Sequence, residues 1–299
     1  MPRRIDLGNL ADHRVIVTGA NSGIGLAATQ RLLDAGARVT MACRSTEKAQ
    51  AARADLHGLE RAEVAELNVA DPASIQRFAD EFRARHDRLD LLINNAGVMA
   101  TPPALTEEGI ERQWATNVLG PFALTGRLLD LLAATDASRV IAVGSLAAQS
   151  GVLTAHDPTN LYGYDRFSVY AATKLADLVY TVELGRRLKR HGVDVIAAAG
   201  HPGFTHTNLA SGLGNPFLTE MVRAAGRLMA QSAGDGAEPI LAAACLPAVT
   251  DGAYFGPAGW GQYRGEARLV PLPRAANDAA AGERLWNQSV QLSDVDYLT

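Results

Sequence analysis

Tyr170 and Lys174 stand four residues apart in Tyr170-Ala171-Ala172-Thr173-Lys174. They lie inside a run from Phe167 to His191 whose pattern predicts one long helix. At i and i+4 they share a helix face and can interact. A phenol has an ordinary pKa of about 10 and is a poor acid or base at neutral pH. A neighbouring ammonium stabilises the phenolate, which makes the phenol a usable proton donor to a carbonyl or acceptor from an alcohol. The chain has seven tyrosines and three lysines (Lys48, Lys174 and Lys189), so a chance pairing at this spacing is infrequent. Ser145 ends the apolar run Arg139 to Gly144, where it can hydrogen-bond the same substrate oxygen. Asn117 sits mid-way along a pattern read as a helix from about Glu107 to Leu132. Asparagine is a mediocre helix former, so Asn117 needs a partner: a neighbouring backbone, or a water in a proton path behind Lys174.

Such side chains need a frame and a reactant. The frame is organised around Thr18-Gly19-Ala20-Asn21-Ser22-Gly23-Ile24-Gly25. Val15-Ile16-Val17 before it reads as a buried strand, and apolar residues recur at helical spacing after it. The glycines therefore sit on a strand-to-helix turn. There they permit a sharp bend, close approach to a ligand and close helix–strand packing. The unpaired N–H groups of the helix's first turn, with the macrodipole, favour a phosphate. Arg44 follows the second strand, Ala37 to Ala42, about 20 residues beyond the loop, where a dinucleotide fold reads the adenosine ribose. No Asp or Glu lies between Val39 and Thr46. A carboxylate there would repel a 2′-phosphate, whereas an arginine grips it. The expected cofactor is NADP(H), with NAD(H) still admissible.

Further strands are read at Ala62–Val69, Leu89–Ile93, Arg139–Gly144, Val193–Ala199 and, as a short final strand, Ala253–Phe255. Helices are read from Asp71-Pro72 to about His86, over 217–229, 236–246 and 279–292. Leu146 to Arg166 is read as a long loop. Strand–helix alternation across nearly the whole chain argues one α/β domain, a doubly wound, mostly parallel sheet with helices on both faces. Residues 10–200 form its dinucleotide-binding core, and 201–299 supply substrate-pocket helices and a tail. Crossover handedness puts the named loops on one edge. Pocket residues are expected in 146–166 and 209–229, including Leu153, Leu161, Phe217, Leu218 and Met221. They suit a moderately large apolar carbonyl or alcohol.

With 299 residues, 47% hydrophobic and 20% charged, the composition is that of an ordinary globular protein. A net charge of −4 argues against sequence-independent nucleic-acid binding. Cys43 and Cys245 give no disulfide framework and fit a reducing compartment. No apolar leader segment precedes Asp12, and Ile240–Val249 is too short to span a bilayer, so no membrane anchor and a cytoplasmic location are expected. No metal is expected.

Taken in order, Thr18-Gly19-x-x-x-Gly23-Ile24-Gly25, Asn94-Asn95-Ala96-Gly97, Asn117, Ser145, Tyr170-x-x-x-Lys174 and Pro202-Gly203 resemble the short-chain dehydrogenases/reductases over about residues 10–260. The Ser145–Tyr170 interval, Ala42-Cys43-Arg44 and Leu285-Trp286 look like the retinol-dehydrogenase-like branch. The resemblance implies hydride transfer between nicotinamide and a carbonyl or alcohol carbon. It implies Tyr170 as acid/base, Lys174 as phenolate stabiliser and ribose ligand, Ser145 as orienter of the substrate oxygen, and Asn117 completing a proton relay. Implied cofactor contacts are Gly19, Asn21, Ser22, Gly23, Ile24, Arg44, Asn68, Val69, Asn95, Ala96, Gly97, Tyr170, Lys174, Pro202, Gly203, Thr205 and Thr207. Two departures stand out. Asn68 replaces the frequent Asp of the adenine-contacting position. Pro121 replaces a frequent His and should kink the helix, which leaves the position of Asn117 open. The alternative function is a catalytically silent nucleotide sensor on the same fold. An epimerase or dehydratase is disfavoured by the short carboxy-terminal part. The resemblance leaves monomer and homo-oligomer both open.

Overall fold

The computed structural model describes residues 4–153, 157–205 and 231–299. The expected helix over 217–229 and the pocket residues Phe217, Leu218 and Met221 lie outside the described residues, as does Thr207.

Eight strands form one sheet in the order β3-β2-β1-β4-β5-β6-β7-β8. They are β1 Arg14–Thr18, β2 Arg38–Cys43, β3 Ala62–Glu66, β4 Leu91–Asn94, β5 Ser138–Val143, β6 Val195–Gly200, β7 Tyr254–Pro257 and β8 Ala267–Leu269. β1 to β7 run parallel, so their C-terminal ends share one edge. Val17 pairs with Met41 on one side and Ile93 on the other, and Ile93 pairs with Ile141. These central residues are fully buried, which is why their runs are apolar without alternation. β8 pairs antiparallel with β7, so Ala253–Phe255 is not the final strand. The edge strand is only three residues long and half exposed, and so leaves no periodic signature.

The helices are α1 Gly23–Asp34, α2 Thr46–Ala54, α3 Pro72–Arg85, α4 Arg112–Trp114, α5 Gly120–Ala133, α6 Arg166–Arg190, α7 Ala233–Cys245 and α8 Ala279–Ser293. Their starts follow local chemistry. Asp71 accepts from the N–H groups of Ala73 (2.9 Å) and Ser74 (3.2 Å), with Pro72 in the first turn. Ser45, not Thr46, caps α2 by accepting from Lys48 N–H at 3.3 Å. α1, α2 and α7 cover one face of the sheet. α3, α5, α6 and α8 cover the other.

The helix expected from Glu107 begins only at Arg112. Glu111 is its N-cap, and its carboxylate accepts from Gln113 and Trp114 N–H. Ala115–Leu119 then form a π turn leading into α5. In an α-helix the carbonyl of residue 117 would accept from residue 121, and Pro121 has no N–H to give. The expected kink is thus taken up by a wider turn. It seats Asn117 rather than displacing it.

α6 is buried almost all round. Its outer flank is covered by the carboxy-terminal tail, where Trp286 and Tyr297 pack on Phe122 and Tyr180 with ring centroids 4.9–5.9 Å apart. Arg187 pairs with Glu183 at 2.8 Å and lies 4.5 Å over the Trp286 ring. Its guanidinium also donates to Leu298 O at 3.0 Å.

Candidate active site

The parallel strands bring the expected residues to one edge. Thr18, the last residue of β1, joins that strand to the end of β4. Its Oγ1 accepts from the N–H groups of Asn95 (3.0 Å) and Ala96 (2.8 Å), and Asn95 Nδ2 donates back to Thr18 O at 2.7 Å. The small residues serve close packing. A Cβ on Gly19 would lie 3.1 Å from Ala96 Cα, and one on Gly25 would lie 2.6 Å from Gly19 O. Gly19 and Gly23 have φ of +66° and +56°, where glycine is favoured.

At the start of α1, Ser22 holds the N-cap position but makes no side-chain cap. The first-turn N–H groups of Gly23 and Ile24 therefore face forward without a side-chain acceptor, beside half-buried Asn21 and exposed Ser22. Arg44 is exposed just past β2 on the same edge. Asn68 and Val69 follow β3. Asn68 Oδ1 accepts from Ala70 N–H at 3.2 Å, which fixes its side chain and leaves a second lone pair for an amino donor. Gly120 lies against the Val69 carbonyl with no room for a Cβ, so α5 abuts this segment. A backbone cradle open to an anion, a cation one strand away and a fixed carbonyl-type acceptor fit a dinucleotide phosphate chain and adenosine.

At the other end of the edge, Pro202, Gly203 and Thr205 follow β6 and are half-buried. Gly203 has φ +64°, and Phe204 N–H donates to Tyr263 O at 2.8 Å. The preceding His201 is fully buried. Gly203 N–H donates to its Nδ1 at 3.2 Å, so Nε2 carries the hydrogen and donates to Gln262 Oε1 at 2.8 Å. Burial pushes the His201 pKa down to about 4, against a smaller opposing effect of Gln262. It is a neutral brace between β6 and the 260s loop.

The candidate reactive group lies between these ends. Lys174 Nζ donates to Val143 O, the last residue of β5, at 2.9 Å. That bond sets α6 against the strand end from which Ser145 projects. Ser145 Oγ accepts from Ala147 N–H at 3.2 Å and caps a 3-10 turn, Leu146–Ser150, within the expected loop. Tyr170 is buried one turn before Lys174 on α6. Gly97 passes close by: a Cβ there would lie 3.2 Å from Asn117 Oδ1 and 3.8 Å from Lys174 Nζ. Leu153, expected in the pocket, is partly buried and packs against the main core.

Asn117 finds the neighbouring-backbone partner expected of it. Its Oδ1 accepts from Val98 N–H at 2.8 Å, and its Nδ2 donates to Val98 O at 2.9 Å and to Thr173 Oγ1 at 3.0 Å. These three bonds clamp the segment after β4 to α6. Thr173 Oγ1 in turn donates to Tyr170 O at 2.8 Å, so the clamp ends on the tyrosine's own backbone.

Asp177 is the residue that the sequence reading missed. Its Oδ2 accepts from Lys174 Nζ at 2.8 Å, with both side chains about nine-tenths buried. Burial alone would lower the Lys174 pKa, but the charges of Asp177 and Tyr170 outweigh it and the net direction is up. Burial pushes the Asp177 carboxyl up to about 6, against the pull of Lys174.

This edge is that of a Rossmann-type fold. Residues 13–216 match the short chain dehydrogenase family, and the chain belongs to it, in the retinol-dehydrogenase-like branch. It is 34% identical to retinol dehydrogenase 14 of Mus musculus over 298 residues, covering 95% of this chain and 86% of that one. It is 37% identical to human retinol dehydrogenase 13 over 287 residues, covering 93% and 83%. Among solved structures it is similar to an uncharacterised protein from Mycobacterium paratuberculosis, with a TM-score of 0.81, 38% identity and coverage of 98% and 97%. The fold is shared with the Pseudomonas aeruginosa RhlG/NADP complex at a TM-score of 0.65 and 24% identity, covering 82% and 94%. No helix among the described residues is long and apolar enough to cross a membrane.

Proposed function

We propose that the protein is an NADP(H)-dependent alcohol dehydrogenase/carbonyl reductase acting on an apolar substrate. The observation that carries the reading is the buried Lys174, bound to the end of β5 one helical turn from Tyr170, on the same sheet edge as the side-chain-uncapped turn of α1. Gly19, Asn21, Ser22, Gly23 and Ile24 would hold the pyrophosphate, Arg44 the 2′-phosphate, Asn68 and Val69 the adenine, and Asn95 to Gly97 the adenosine side. Pro202, Gly203 and Thr205 would hold the carboxamide end. When bound, the nicotinamide supplies or accepts the hydride at the substrate carbon.

The chain's own residues handle the proton. Tyr170 donates its hydroxyl proton to the carbonyl oxygen in reduction and takes one from the alcohol in oxidation. Lys174, held charged, stabilises the phenolate and offers its remaining N–H to the nicotinamide ribose. Ser145 steadies the substrate oxygen. Asn117 is the clamp that keeps Tyr170 and the 95–98 segment in register. The names of the relatives support an apolar alcohol or aldehyde of retinoid type as the first class to screen.

The test follows nicotinamide fluorescence during NADPH and NADH titration, then turnover on a panel of apolar aldehydes and alcohols. Tyr170→Phe should bind NADPH as the wild type does and lose at least about 10³-fold in kcat. Retained turnover would refute the assignment of Tyr170. Tight nucleotide binding with no turnover across the panel would favour a sensor instead.

A further inference from the structure

The Lys174–Asp177 pair has no place in the mechanism just given, which asks only that Lys174 be charged. Both groups sit at the interior end of the site. Their other neighbours are Asn94, Asn117, Pro121 and Thr181, which together with them wall a cavity with room for about one water. Asn94 Oδ1 is buried there without a hydrogen-bond partner. The titratable groups that face the pair are Tyr170 and Tyr180 from α6 and Tyr254 from β7. Burial holds Tyr180 up to about 12 and raises Tyr254 as well, so neither carries charge at neutral pH. Asp177 is therefore the only carboxylate among the described residues placed on this lysine.

A buried ammonium without a counter-charge loses its proton readily, and buried lysines can fall by several pKa units. Val143 O supplies a hydrogen bond but no charge. We infer that Asp177 is a positioning residue whose carboxylate keeps Lys174 an ammonium throughout the alkaline range in which alcohol oxidation is favoured. It acts through Lys174 and touches neither substrate nor nicotinamide. The inference rests on the proposed role of Lys174 as the partner of Tyr170.

The test does not need turnover for its first arm. Lysine labelled with ¹³C at Cε gives three resonances, since the chain has only Lys48, Lys174 and Lys189. In Asp177→Asn the Lys174 resonance should titrate about two pH units lower than in the wild type or more, with Lys48 and Lys189 unmoved. Asp177→Glu, which keeps the charge, should recover part of that shift. In the second arm, the alkaline limb of kcat/KM for alcohol oxidation should move down in step with the resonance. An unchanged Lys174 titration overturns the inference, whatever happens to activity. A shifted titration in a chain that turns over no alcohol or carbonyl upholds the Lys174–Asp177 coupling and rejects the reaction assigned above. Should Asp177→Asn fail to fold, the double variant with Lys174→Met decides. Restored folding identifies the uncompensated ammonium as the fault, and continued failure overturns the inference.

Discussion

Removing the Asn117 amide should loosen the site before it slows any proton. In Asn117→Ala, Val98 loses partners for both its N–H (2.8 Å) and its C=O (2.9 Å). Thr173 keeps its bond to Tyr170 O and loses only the incoming donor. Two stranded backbone groups at about 1–1.5 kcal/mol each, low in the usual range because Val98 is only half-buried, come to roughly 2–3 kcal/mol. For a chain of 299 residues that corresponds to a fall in Tm of roughly 3–5 °C. Asn117→Asp preserves the acceptor for Val98 N–H but sets a carboxylate against Val98 O, so it should recover little. The assay is thermal and urea unfolding without nucleotide, followed by NADPH titration and kcat. Binding should weaken together with stability, because Gly97 lies between the clamp and Lys174. A Tm within about 1 °C of the wild type, with kcat lost, would refute the clamp and return Asn117 to a purely proton-carrying role.

Two further outcomes can be measured on the same protein. Arg44→Asp should weaken NADPH about 10–100-fold while leaving NADH the same or tighter, as expected for loss of a charged hydrogen bond to the 2′-phosphate; an unchanged ratio in the fluorescence titrations would show that Arg44 does not read the phosphate. His201 is held neutral with a folded pKa near 4, below its ordinary 6.5, so the unfolded chain binds the extra proton first as pH falls. Its contribution of about 3 kcal/mol is therefore present above pH 6.5 and lost on descending to pH 4, while Asp177, raised to about 6, acts with the opposite sign in the same window. Urea midpoints from pH 7 to 4 should fall less steeply in His201→Gln than in the wild type, and parallel slopes would count against a neutral buried imidazole.

The parts of this protein that were legible in the sequence are those whose cause is local. Asp71-Pro72, Ser45 and the glycines of the first loop act within a few residues of themselves, and each appears where its chemistry required. The gathering of the candidate catalytic residues was legible too, since parallel strands bring every C-terminal end to one edge once the strands are recognised. Pro121 was read correctly as a missing N–H, but its effect on Asn117 was not legible. Whether a helix meets that loss by kinking or by widening depends on what surrounds it, here the Val69 carbonyl pressed against Gly120 and the Val98 backbone waiting for the amide.

Asp177 marks the boundary of local reading. Within Lys174-Leu175-Ala176-Asp177 a carboxylate three residues after a lysine is an ordinary feature of a solvated helix face, worth a few tenths of a kcal/mol. It becomes decisive only because no face of α6 along this stretch is solvated. The sheet covers one side of the helix. On another, Trp286 and Tyr297 return from more than a hundred residues away to pack on Tyr180 and Phe122, with Tyr297 hydrogen-bonded to Tyr180 at 2.8 Å and to Phe122 O at 3.2 Å. That tail closes α6 on its outer flank, and the low dielectric it helps create is what makes an unpaired Lys174 costly. The charge state of the lysine on which Tyr170 depends is thus set by one carboxylate on its own helix and by an aromatic tail far along the chain. The first is visible in the sequence but not its importance; the second acquires its importance only in the fold.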